Sequence, residues 1–218
     1  MTEHEWLTAI SPEPMLEFLR GRASERKLRL FAVACCGRIR HLLRGSWSHD
    51  CLNAAEKFAD GQLSRAEMRE MRVTPGRLSP SLDHPPTSAL AAASHEGQVD
   101  VVEVASLTAD SVADTEAPMG SWQTVRAAEQ RAQANIIRDI FENPFSVPAF
   151  EPSYRTATAV AIARQAYDTR EFAALMPILA DALADAGAEE DSEVLRHCRG
   201  PGLHYRGCHV VDWILDKS

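Results

Sequence analysis

Residues 24–44 read SERKLRLFAVACCGRIRHLLR, and their spacing sets the fold class. At about 100° per residue, Leu28, Phe31, Ala32, Cys35, Ile39, Leu42 and Leu43 fall in one apolar arc. Arg22, Arg26, Arg29, Arg40 and Arg44 fall on the other side. Ser24 is a fitting N-cap, because its hydroxyl can accept from an unpaired N–H of the first turn. The run predicts a long helix from Ser24 to Arg44-Gly45.

The same signals recur along the chain. Pro14 suits the first turn of a helix over Met15–Arg20, where its missing N–H costs nothing. Ser48 opens a helix that Asp60-Gly61 stops. Ser64 and Glu67 make a capping box for a short helix to Arg72. Helices are also predicted over 88–94, 99–114, 122–141, 154–169, 171–186, 191–198 and 209–216. Pro177 either kinks the 171–186 helix or divides it. Asp191 is the expected N-cap of the helix that follows. No period-2 strand pattern stands out, so the chain reads as all-α, a multi-helix bundle-like or orthogonal array. The N- and C-terminal helices are expected on a shared core. Residues 73–87, with Pro75, Pro80, Pro85 and Pro86, read as a linker between an N-terminal helical region (1–72) and an Ala-rich and C-terminal region (88–218), unless 1–218 is one domain.

The chain has 218 residues, 45% hydrophobic and 25% charged, which suits one large domain or two small ones. Its start, MTEHEWLTAI, lacks a basic stretch followed by an apolar run, and no window is apolar enough to span a membrane. The expectation is a cytoplasmic protein with no membrane partner, whose five cysteines stay reduced. Net charge is −8. Residues 20–44 carry eight basic side chains against the single acid Glu25, whereas 78–125 contain seven acids and no lysine or arginine. Such asymmetry fits an anionic partner, or acidic helices of the same chain.

The stretch 195–213, LRHCRGPGLHYRGCHVVDW, concentrates three histidines and two cysteines around a glycine-rich turn. Zinc takes four Cys and His ligands in a tetrahedron. His197, Cys198, His204 and Cys208 could supply them, with Cys35 or Cys36 as a further ligand. No CxxC pair is present, and neighbours such as His197 and Cys198 diverge on a helix, so both on one ion is awkward. The competing reading makes the cysteines small buried hydrophobes. A thiol nucleophile at Cys208, with His204 as base and Asp212 one turn on, is a further reading. Nucleic-acid binding would use Arg22, Arg26, Arg29, Arg40 and Arg44 on phosphates, without interleaved aromatic residues. With no phosphate-cradling glycine loop and no HExxH, the best reading is a non-enzymatic helical interaction or scaffold protein whose partner is another protein. A zinc-binding protein, structural or catalytic, is the first alternative.

Three stretches carry a resemblance: 6–43, WLTAISPEPMLEFLRGRASERKLRLFAVACCGRIRHLL; 127–145, AAEQRAQANIIRDIFENPF; and 176–187 with 194–217, MPILADALADAG and VLRHCRGPGLHYRGCHVVDWILDK. Together they resemble an uncharacterised family of helical proteins abundant in planctomycete bacteria. The resemblance extends to Cys35, Cys36, His197, Cys198, His204 and Cys208. A cysteine is common in that family where Val33 stands here, and an aromatic where His209 stands, which makes His209 the weakest ligand. The resemblance implies one folding unit and brings no activity with it.

Overall fold

A computed structural model describes residues 1–43, 45–73, 85–146 and 150–217. Among them are twelve α-helices and two short 3-10 turns, with no strand, so the all-α expectation holds. The chain divides into two compact units, 1–137 and 138–218.

The first unit holds α1 (Glu3–Thr8), α2 (Pro12–Leu19), α3 (Glu25–Arg38), α4 (Gly45–Ala59), α5 (Arg65–Val73), α6 (Pro85–Ala93), α7 (Val101–Glu116) and most of α8 (Trp122–Ile140). Its caps follow the side chains available: Ser24 accepts from Lys27 N–H, and Asp100 accepts from Val102 and Glu103 N–H. The central helix α3 packs on α4, α6 and α7. It ends at Arg38, six residues before the spacing predicts. Ile39 leaves helical geometry at φ −96°, ψ 17°, and 40–42 continue as a 3-10 turn. Phe31, Ala32, Cys35 and Ile39 are wholly buried, as the apolar arc requires, and so are Leu30 and Cys36 beside it, while Leu28 and Leu42 of the arc are half-buried. Each such Leu or Phe contributes roughly 1.5–3 kcal/mol on leaving water. The proline-rich 73–87 lies outside the described residues except at its ends, where α5 stops at Val73 and α6 starts at Pro85, three residues before the predicted helix.

The arginine face is only partly a surface. Arg29 is 4% exposed, and its guanidinium donates to the carbonyls of Ala93, His95 and Gly97. Arg26 pairs with the buried carboxylate of Asp60 at 3.0 Å. Arg38 forms a fork on Glu129 at 2.7 and 2.8 Å, joining α3 to α8. Arg22 lies over the Phe18 ring, and Arg40 donates to His49. Arg44 is outside the described residues.

The second unit begins with the last turn of α8 and continues through α9 (Ala157–Thr169), α10 (Phe172–Asp185), α11 (Glu193–Arg199) and α12 (His209–Leu215). Helix α9 packs on α10 and α12, and α11 on α10 and α12. Pro177 removes one N–H from the ladder of α10, yet the helix stays continuous. Leu175, Met176, Leu179 and Leu183 bury its inner face and outweigh that loss. Ser192, not Asp191, caps α11, accepting from Leu195 N–H. The core is built from this unit's own residues, with Val194, Leu195 and Cys198 from α11 and Val210, Val211 and Ile214 from α12.

Candidate metal centre

Two short helices and the turn between them build the site. Helix α11 buries Val194, Leu195 and Cys198 against the core, which turns His197 to another side, since neighbours diverge by about 100° on a helix. The chain then leaves the helix at Gly200. A side chain there would press on the carbonyl of Arg196 at 3.1 Å, so the turn follows the helix end closely. Arg206 anchors the loop, donating to the carbonyl of Tyr167 at 2.8 Å and lying over that ring. Gly207 adopts φ +94°, open to glycine at little cost. Cys208 follows as the first residue before α12.

This path brings His197, His204 and Cys208 onto Asp139, in the last turn of α8. One ligand atom from each lies within 4.8 Å of all the others, so the four form a buried group able to hold a metal ion. His204 Nδ1 is 2.7 Å from Asp139 Oδ1, and His197 Nε2 is 3.3 Å from the same oxygen. Cys208 Sγ is 3.2 Å from His197 Nε2 and 3.9 Å from His204 Nδ1. Bonds of about 2.0–2.3 Å to a central ion put neighbouring corners of a tetrahedron roughly 3.3–3.6 Å apart. Three of these separations lie close to that range. The fourth, 2.7 Å, is a hydrogen bond that the ion would replace.

Outer contacts fix the ligands. Tyr205 N–H donates to Asp139 Oδ2 at 2.8 Å, leaving Oδ1 to face the histidines. His209 Nδ1 lies 3.0 Å from the carbonyl of Asp139. A carbonyl only accepts, so Nδ1 carries the proton and His209 serves as a support. Its ring also meets that of His197 edge-on, with centroids 4.1 Å apart. Such outer partners orient metal ligands and set their tautomers.

Electrostatics at the site follow burial and charge. Burial alone would raise the Asp139 carboxyl, but hydrogen bonds from His197 and His204 and the charge of those rings outweigh it and hold it at about 2. Burial, then the Asp139 charge, pushes the Cys208 thiol well above its ordinary value. A nucleophile needs the reverse, a lowered pKa and access to solvent. Cys208 is fully buried. Burial of the thiol therefore argues against the nucleophile reading.

Three of the four ligands expected from the sequence are brought together, and one is not. Cys198 sits in the apolar core, its thiol pushed up to about 12 by burial and then by the Asp139 charge. Asp139 is the fourth member of the group. Cys35 and Cys36 are buried in the first unit, on α3. Asp139 had one sequence signal: an acid set in IIRDIF, between residues that a helix buries. Comparison with protein-family models, with curated proteins and with solved structures finds no match for the chain.

Proposed function

We propose that this protein binds one zinc ion in its second unit, through Asp139 Oδ1, His197 Nε2, His204 Nδ1 and Cys208 Sγ. The supporting observation is the convergence of four ligand atoms within 4.8 Å. Two nitrogens, one carboxylate oxygen and one thiolate form a borderline donor set. Magnesium and calcium favour all-oxygen sites, and copper(I) favours more sulfur, so zinc fits best. Charge supports the same choice. A doubly positive ion, one carboxylate, one thiolate and two neutral imidazoles sum to zero, which makes burial tolerable. The ion would also reverse the thiol's preference, since a coordinating thiol is deprotonated.

Around this ion we propose a non-enzymatic helical protein. Membership of the planctomycete family fits the proposal, because the stretches that resemble that family contain all four donors, with Asp139 inside 127–145. No described helix is long and apolar enough to cross a membrane. The test is metal analysis of the full chain purified without chelator. The expected result is about one zinc per chain. Less than about a tenth of an equivalent after zinc addition and desalting would end the proposal.

A further inference from the structure

We infer that the ion at this site is a clasp that folds the end of the chain: it closes the 200–208 turn, and the order of α11 and α12 depends on it. This inference rests on the zinc-binding proposal. Four observations on the second unit point the same way.

The protein's own side chains fill the coordination sphere. A catalytic zinc keeps one position for water or substrate, with three protein ligands, whereas a structural zinc takes four. Here four ligand atoms lie within 4.8 Å of one another, and Asp139 and Cys208 are 4% and 0% exposed. The second carboxylate oxygen is already engaged by Tyr205 N–H.

The ligands also come from distant parts of the sequence. Asp139 and His204 are 65 residues apart. A link across such a span removes much freedom from the unfolded chain. Helices α11 and α12 are seven residues each. Helices that short are marginal alone and need tertiary contacts to persist.

Finally, the group is poorly matched without a cation. Cys208 offers its sulfur to two imidazoles that the single carboxylate oxygen Asp139 Oδ1 must also serve. Four donor atoms lie within 4.8 Å of one another, joined by hydrogen bonds that the imidazoles and the thiol must share. A divalent ion satisfies all four at once.

The test uses the full chain, loaded with zinc or with cobalt(II), and stripped by chelator. Cobalt reports coordination through its visible spectrum. Thermal unfolding and amide hydrogen exchange report the clasp. The expected results are a four-coordinate cobalt spectrum with a thiolate-to-cobalt band, a midpoint lowered by roughly 10 °C or more on stripping, and loss of exchange protection over 193–217 with 25–38 unchanged. A chain that binds cobalt but keeps its midpoint within about 2 °C and its protection over 193–217 would overturn the clasp and leave zinc binding standing. A five- or six-coordinate cobalt spectrum would overturn it too, since water would then occupy an open position. Absence of any cobalt band would remove the zinc-binding proposal itself. The Asp139→Asn variant, which keeps the side chain's shape, is expected to bind cobalt at least tenfold more weakly and to match the stripped protein in exchange. Wild-type affinity in that variant would remove Asp139 from the ligand set and with it the long-range closure.

Discussion

The two units bury charge in opposite ways. In the first, Arg38, Arg26 and Arg29 each meet a complement. The Arg38 guanidinium forks onto Glu129, Arg26 meets Asp60, and Arg29 takes three carbonyls at the end of α6. Cation and anion, or donor and acceptor, are both side chains or backbone of this chain, so each set is complete. In the second unit, the ligand atoms of Asp139, His197, His204 and Cys208 converge within 4.8 Å of one another. No lysine or arginine is among the four. Polarity alone does not mark a ligand site, since Glu129 is as deeply buried as Asp139, at 5% and 4% exposed. What marks it is the convergence of four donor atoms of types that hold a metal ion.

That contrast can be broken at either end. The largest effect is expected from Cys208→Ala, which should abolish zinc binding and destabilise the second unit by roughly 4 kcal/mol or more, a size reserved for losses such as a metal. Equal stability in loaded wild type and variant would show that the sulfur only packs. Arg38→Ala is the counterpart in the first unit. It leaves the Glu129 carboxylate buried without its fork and should cost about 3 kcal/mol in denaturant unfolding, with zinc content unchanged. The double variant with Glu129→Gln should recover part of that loss, because the stranded charge is removed as well.

A smaller effect comes from alkali. Burial raises the Cys36 thiol from 9.0 to about 12. The folded chain thus keeps a proton that the unfolded chain releases. Stability from this group is complete below pH 9 and is lost as pH rises through 12. At pH 10 the loss should be on the order of 1 kcal/mol, and Cys36→Ala should flatten that slope in pH-dependent unfolding. Smallest of all is Cys198→Ala. It trims a small core side chain for about 1 kcal/mol and should leave zinc stoichiometry intact. Loss of zinc in that variant would restore Cys198 to the ligand set in place of Asp139.

Local signals were legible in the sequence, and distant pairings were not. Ser24 and Ser64 cap the helices that their positions announce, and 122–141 forms the helix expected of a run without breakers. The arc of α3 correctly named Phe31, Cys35 and Ile39 as buried. Its length was overread, because Leu42 and Leu43 keep an apolar rhythm after the backbone has changed to a 3-10 turn. Arg29 looked solvent-facing by spacing, yet its partners lie 64 to 68 residues away, where periodicity says nothing. The turn at 200–208 advertised His197, His204 and Cys208 by type and density. Cys198 belonged to the same cluster in sequence, but one helical step turns it into the core. Asp139 was the reverse: alone in a helix, and found only by the fold that brings α11 and α12 back to it.

The central claim is that the second unit's acceptor cluster is completed by a metal. Its most direct test is zinc analysis of the full chain beside Cys208→Ala and Arg38→Ala, each purified without chelator and then equilibrated with zinc. About one equivalent is expected in wild type and in Arg38→Ala, and almost none in Cys208→Ala. Equal zinc in all three, or none in wild type, would contradict it.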